Sequence, residues 1–485
     1  MRTSTFLIGL TFFVVNLSVP EADARQEYSE EECHLSGISG RQRCFTMTRP
    51  SGEGETIEVG GVILSSDAVT PLPDPLVILT GGPGQAASDA VPLLRGVLRE
   101  TLRDRDLIFL DIRGTGRSNP VSCRDYFETY PPLTYVAPEE AYGPLAECYL
   151  REGKILADAN TQTAAADLEA LRQHLTIEQM NIWGVSYGTR LAQYYAANYA
   201  AHVRSLVLDG VVPFSPAYID VTRDSAAGAV QRLLDDCRAD AACATSFPDF
   251  DLYSLLDRIE GVREISYRHP VTGRKITTHT NRETVAQVIF GALYTPATRA
   301  SIPFALTEAI ELDNWGPLAV LADDANWYFG IENIYAGARL SVLCAEEDLR
   351  GDDAVDDTGL FKDWGGLKQM FRETCARWPV ESIYLPSPEP GSFEMPTVMI
   401  SGGFDPITPP SLARHAESYY STSKHIILEN GGHFNSHVPC IAKYINAFIE
   451  DPTHLNEETE CIGDGHFPDF VTLPDLPFSG QEEAQ

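Results

Sequence analysis

Short, almost wholly apolar runs recur along the chain, and most of them end in glycine. Leu76 to Thr80 runs into Gly81-Gly82-Pro83-Gly84, Asp106 to Leu110 leads to Asp111-Ile112-Arg113-Gly114, and Met180 to Val185 ends at Ser186-Tyr187-Gly188. Ser205 to Leu208 precedes Asp209-Gly210, Pro396 to Ser401 precedes Gly402-Gly403-Phe404-Asp405, and His425 to Asn430 precedes Gly431-Gly432-His433. Runs this short and this continuous predict strands buried on both faces, as in a parallel sheet. Between them lie segments of helical spacing, clearest over Thr161 to Leu175 and from Thr189 onward. Strand and helix alternate, so the fold class is α/β.

Two regions depart from that rhythm. From Glu27 to Ser66 short alternating runs, C-F-T-M-T and T-I-E-V-G-G-V-I-L, predict antiparallel strands at one edge of the sheet. From Phe214 to Pro390 the buried-strand pattern gives way to helical stretches such as A-A-G-A-V-Q-R-L-L-D-D, which predict a mostly helical cap inserted into the sheet domain. The resulting division is 1–24 export signal, 25–213 first part of the α/β core, 214–390 cap, 391–478 second part of the core and 479–485 disordered tail. A chain of 485 residues is long enough for this arrangement.

Composition narrows the function. Apolar residues make up 44% of the chain and charged residues 22%, an ordinary globular balance, while the net charge of -33 disfavours nucleic acid and anionic membrane as partners. Arg2, the apolar run from Phe6 to Val15 and Ala22-Asp23-Ala24 resemble a secretory signal cut before Arg25. Asn16 and Pro20 leave that run short for a membrane span, so no span is expected in the mature chain. The expected destination is therefore outside the cytoplasm, periplasmic or secreted. Ten cysteines in an exported chain point to disulfides, and neighbours in sequence suggest the pairs Cys33–Cys44, Cys123–Cys148, Cys237–Cys243, Cys344–Cys375 and Cys440–Cys461. No C-x-x-C spacing suggests a structural zinc.

The chemistry lies at the strand ends. Gly184-Val185-Ser186-Tyr187-Gly188 has the form of a nucleophile elbow, in which a serine sits on a strand-to-helix turn so tight that its neighbours must be small. Asp405 and His433 end later strands, and serine, acid, histidine in that order is the order of α/β-hydrolase triads. In such a triad the histidine takes the serine proton and the acid holds the imidazole in the right tautomer. Asp209 also ends a strand and His437 follows His433 closely; Asp405 is preferred because its strand directly precedes the histidine's, and His433 because Gly-Gly precedes it. For the oxyanion, the N–H of Tyr187 and one from the Gly81-Gly82 turn are the candidate donors, with Gly82 chosen over Gly81. A rival reading takes Gly82 to Ala87 with Asp111 as a dinucleotide fingerprint, but Pro83 lacks the N–H that a pyrophosphate cradle needs. No cofactor and no metal are expected.

With G-G-P-G, D-I-R-G-T-G-R-S, G-V-S-Y-G-T, L-V-L-D-G, A-L-Y-T-P, G-G-F-D-P-I-T-P and G-G-H in place, the chain resembles the α/β-hydrolase peptidases of the proline iminopeptidase and tripeptidyl aminopeptidase group, peptidase family S33. The resemblance implies a serine exopeptidase acting on peptide substrates with a free N-terminus. It departs from the family where Thr80 and Ile112 stand in places commonly held by His and Gln, which bears on substrate preference more than on catalysis. It also implies that cap carboxylates meet the substrate ammonium, with Glu346 and Glu347 in C-A-E-E-D the matching positions. The competing functions are an esterase or lactonase with the same triad, and a non-catalytic binding protein on a hydrolase fold.

Overall fold

The computed structural model describes residues 27–52, 54–126, 130–214, 218–269, 271–329, 334–349, 359–360, 362, 367–456 and 468–472. The expected export signal, the expected tail and Cys461 lie outside these residues.

Nine strands form one sheet: β1 (Tyr28–Cys33), β2 (Gln42–Ser51), β3 (Glu55–Leu64), β4 (Leu76–Leu79), β5 (Leu107–Leu110), β6 (Met180–Val185), β7 (Val203–Asp209), β10 (Thr397–Gly402) and β11 (Ser423–Leu428). Their spatial order is β1-β2-β3-β5-β4-β6-β7-β10-β11. Pairs from β1 to β5 through β3 are antiparallel, and every pair from β5 to β11 is parallel. The edge strands and the parallel core thus follow the apolar pattern of the sequence. The chain reverses direction across the sheet at β4, whose neighbours are β5 and β6. Ligands of open α/β sheets bind beyond the carboxyl ends of the strands near such a reversal, and β6 carries Ser186 at that end.

Both faces of the sheet are covered. Val77 and Leu79 of β4 pack in one apolar cluster with Leu168, Leu171, Leu191 and Tyr195 of the helices Thr161–His174 and Tyr187–Asn198. Leu76 and Ile78 of the same strand face the opposite cluster with Leu94, Ile445 and Phe448, from the helices Val91–Val97 and Pro439–Glu450. Alternate residues of one strand serve two cores, and this is why its run is apolar without interruption. Asn160 caps the helix Thr161–His174, its side chain accepting from the Thr163 N–H while the Thr163 hydroxyl accepts from the Asn160 N–H.

Between β7 and β10 the chain builds eight described α-helices and a separate apolar cluster that includes Val230, Leu233, Ile289, Leu306, Trp315 and Leu318. One piece of this insert differs from the helical expectation. β8 (Arg263–Arg268) and β9 (Lys275–Thr280) pair as an antiparallel hairpin. Alternation in R-E-I-S-Y-R, β-branched residues in K-I-T-T-H-T and Thr272-Gly273 between them are the signals that mark it.

Four of the expected disulfides are formed, Cys33–Cys44 between β1 and β2, Cys123–Cys148, Cys237–Cys243 and Cys344–Cys375. No described helix is long and apolar enough to cross a membrane.

Candidate active site

Ser186 is the residue between β6 and the helix Tyr187–Asn198, and it adopts φ 54° and ψ -124°. A non-glycine residue there stores on the order of 1–3 kcal/mol of backbone strain, which persists only where its surroundings over-determine it. Here they do. The Ser186 N–H donates to the Asp209 carbonyl at the end of β7 (2.9 Å), and its own carbonyl accepts from the Thr189 N–H (2.8 Å) and hydroxyl (2.6 Å). Gly188 passes so close to β4 that a methyl group on it would stand 2.0 Å from the Leu79 carbonyl oxygen, and one on Gly184 would stand 2.5 Å from the Gly188 oxygen. Both small residues are therefore steric requirements of the turn.

Asp405 and His433 come together beyond β10 and β11. His433 Nδ1 lies 2.9 Å from Asp405 Oδ2. The carboxylate is held on all sides: Oδ1 accepts the N–H groups of Ile407 (2.9 Å) and Thr408 (2.8 Å), and Oδ2 accepts the Thr408 hydroxyl (2.6 Å). That hydroxyl also lies 2.9 Å from His433 Nδ1. Burial would raise the Asp405 pKa, but the His433 charge and these donors outweigh it and hold the carboxyl below its ordinary value. For His433, burial favours the neutral ring, while the Asp405 carboxylate, and more weakly Asp209, raise its pKa above the ordinary value. The pairing belongs to Asp405 and not to Asp209, the other acid at a strand end.

Asp209 has a different task. Its Oδ2 accepts the N–H groups of Asn435 (3.0 Å) and Ser436 (2.7 Å) and the Ser436 hydroxyl (2.6 Å), fixing the loop that follows His433. Its Oδ1 is buried without a partner among the described residues, and burial pushes its pKa up to about 6. Gly210 bridges the two halves: a methyl group there would stand 3.3 Å from His433 Cε1, and the preceding residue's carbonyl is the acceptor for Ser186. Nucleophile candidate and histidine thus flank the same end of β7.

Two partners of this arrangement have no role assigned to them by the sequence reading. Thr408 is one; an aspartate followed by threonine three residues on is a local capping signature that could have marked it. Tyr294 is the other. Its carbonyl accepts the His433 N–H (2.9 Å), a methyl group on Gly432 would stand 2.1 Å from that carbonyl oxygen, and its ring meets the imidazole edge-on with centroids 5.0 Å apart. Five residues along, the Arg299 guanidinium stacks 4.4 Å over Phe404, the residue before Asp405. One turn of the insert therefore touches both the histidine loop and the acid loop.

On the other side of Ser186, Tyr187 opens its helix, so its N–H has no intrahelical acceptor. Gly81 lies directly against the serine: a methyl group there would be 2.8 Å from Ser186 Cβ. Gly82 follows with φ 107° and a cis bond to Pro83. Asp111, the acid of the dinucleotide reading, is buried and accepts the Ser88 N–H and hydroxyl and the Arg117 N–H, which makes it a tie between the loop after β5 and the segment after β4.

Glu346 and Glu347 come together as expected, but on a cation of this chain. Arg190, one helical turn beyond Ser186, places Nη1 3.3 Å from Glu346 Oε2 and 3.1 Å from Glu347 Oε1, and each glutamate side chain is only 1% exposed. Glu346 Oε1 also accepts the Thr161 N–H (2.6 Å), and the Thr161 hydroxyl meets the Tyr187 hydroxyl at 2.9 Å. The two carboxylates are thus walled in behind Arg190, where the sequence reading set them facing a ligand. The sequence shows the acidic pair but not the guanidinium 156 residues earlier that it packs on.

Comparison with known proteins fits this geometry. A model of the α/β-hydrolase fold matches residues 74–256, and a model described as TAP-like protein matches residues 365–461. The chain is 25% identical over 429 residues to the serine protease Hip1 of Mycobacterium tuberculosis, covering 80% of each chain. It is 28% identical over 375 residues to a carboxylesterase B of the same organism, covering 69% of each. A tripeptidyl aminopeptidase of Streptomyces coelicolor shares 34% identity over 151 residues, 28% of each.

Proposed function

We propose that this chain, which has the α/β-hydrolase fold and matches a TAP-like model over residues 365–461, is an exported serine exopeptidase cleaving peptide bonds near a free N-terminus. Ser186 Oγ attacks the scissile carbonyl, His433 accepts its proton and later returns it to the leaving amine, and Asp405 orients the ring and stabilises the imidazolium. The N–H groups of Tyr187 and Gly82 receive the oxyanion. Water then releases the acyl group from the serine. The observation that carries this reading is the Asp405–His433 pair set across the end of β7 from a strained serine. Four formed disulfides support export.

A free N-terminus fits the charge of the whole chain. At a net -33 its surface favours a substrate carrying an ammonium group over an anionic one. The test is a pair of peptide arylamides differing only in a free or acetylated N-terminus. The free form is expected to react at least about tenfold faster in kcat/KM, the value of roughly 1.4 kcal/mol of recognition. Mass spectrometry of a digested peptide mixture then shows whether fragments leave from the N-terminal end. Internal cleavage, or equal rates, defeats the exopeptidase reading.

His433 works as a base only when neutral, and its neighbours raise its pKa. The acid limb of the kcat/KM profile is therefore expected above pH 6.5, the ordinary imidazole value, with activity lost as pH falls through it. A limb centred below 6 contradicts that assignment. The second reading, an ester or lactone substrate with the same three residues, is favoured by the carboxylesterase relative. Simple esters turned over faster than every peptide arylamide would establish it.

A further inference from the structure

The turn that carries Gly82 ends in Gln85, and its backbone is pinned from both directions. The Gln85 N–H donates to the Gly81 carbonyl (3.2 Å), and its carbonyl accepts the Thr80 hydroxyl (2.9 Å). The Gly84 carbonyl accepts the Tyr335 N–H (2.8 Å), and a methyl group on Gly84 would be 2.8 Å from the Tyr335 oxygen, so the insert presses the turn onto the sheet. The side chain of Gln85 is left as the free member. A methyl group placed on Gly81 would touch both Ser186 Cβ at 2.8 Å and Gln85 Oε1 at 3.3 Å, so the carboxamide and the serine both border the space over Gly81. That carboxamide is only partly exposed, yet it makes no hydrogen bond with any described residue.

A half-buried amide with two donors and an acceptor beside a nucleophile is costly unless something fills its hydrogen bonds when the site is occupied. We propose that Gln85 is a specificity-determining residue that hydrogen-bonds a backbone peptide group on the acyl side of the substrate. The proposal rests on the peptidase reading above and deepens it. Gln85 shares a turn with Gly82, which faces the scissile carbonyl, so the group it meets is the one joined to that carbonyl. A carboxamide is complementary to a secondary amide, since each offers an N–H and a C=O. A single-residue acyl group has no such peptide link, and neither does a simple ester. The residue therefore favours release of a short peptide over release of one amino acid.

The experiment compares wild type with Gln85→Leu on three probes: Ala-Ala-Ala-arylamide, Ala-arylamide and p-nitrophenyl acetate, with the rate of fluorophosphonate labelling as a check that the triad is assembled. Gln85→Leu is expected to lower kcat/KM on the tripeptide substrate by at least about tenfold, the loss typical of one substrate hydrogen bond, and to change the other probes and the labelling rate by less than about twofold. An unchanged tripeptide rate overturns the proposal. So does an equal loss on all probes and on labelling, which would make Gln85 part of the oxyanion machinery or of the turn's stability. Preference of the wild type for Ala-arylamide overturns it too. Labelling of a wild type that cleaves neither arylamide but hydrolyses the acetate refutes the peptidase reading itself, a result distinct from an unresponsive Gln85.

Discussion

Replacing Ser186 by alanine is expected to lower kcat by about 10⁶-fold while leaving KM within a few-fold, because the covalent step disappears and the binding groups stay. The residual rate, roughly 10³ to 10⁴ above the reaction in water, would come from the Tyr187 and Gly82 donors and from substrate placement. Single-turnover assay with an arylamide and loss of fluorophosphonate labelling measure it; a rate near that of wild type removes Ser186 from the mechanism. Glycine at the same position adds a second reading. With φ at 54° the serine is strained, and glycine adopts that conformation without a Cβ penalty. Ser186→Gly is therefore expected to abolish activity while unfolding at a temperature no lower than wild type. Inactivity with a lowered melting temperature would instead mean that the serine holds the turn together.

Asp405→Asn is expected to cost about 10⁴-fold in kcat. Asn offers an amide where the carboxylate accepted, so the Nδ1 proton is no longer favoured and the ring takes the tautomer that cannot receive the serine proton. The Ile407 and Thr408 N–H groups remain to hold the side chain in place, so folding is expected to survive. Asp209→Asn is the matched control. It removes a carboxylate that raises the His433 pKa but makes no hydrogen bond to the ring, and the buried Oδ1 has no partner to lose. Its expected signature is a kcat within about tenfold of wild type and an acid limb displaced to lower pH, since imidazolium loses a stabilising charge. If the two substitutions exchanged effects, Asp209 would be the orienting acid.

How far the site could be read in advance depended on the range of the interactions. Ser186, Asp405 and His433 each follow a buried apolar run and each lie within two residues of a glycine, so local pattern is enough to predict them at one edge of a sheet. Thr408 was recoverable from the D-P-I-T spacing, though nothing in the spacing says that its hydroxyl also reaches an imidazole. Tyr294 was not recoverable, because its part is played by a backbone carbonyl meeting a loop 139 residues later, and a carbonyl carries no side-chain signal. The surroundings of Glu346 and Glu347 were hidden for a related reason. An acidic pair in a cap reads as a binding surface until the packing brings a buried guanidinium against it. The β8–β9 hairpin was legible in its alternation, but helical segments on either side set the expectation for the whole insert.

The contact between Tyr294 and His433 also bears on how such a chain could be rebuilt. Exchanging the helical insert for that of another hydrolase looks like a clean way to alter specificity, since the insert has an apolar cluster of its own. Yet the carbonyl of Tyr294 and the guanidinium of Arg299 are among the supports of the loops bearing His433 and Asp405. A transplant with junctions at β7 and β10 would carry those supports away with the old specificity. The workable seams lie inside the insert, leaving the turn from Tyr294 to Arg299 with the sheet.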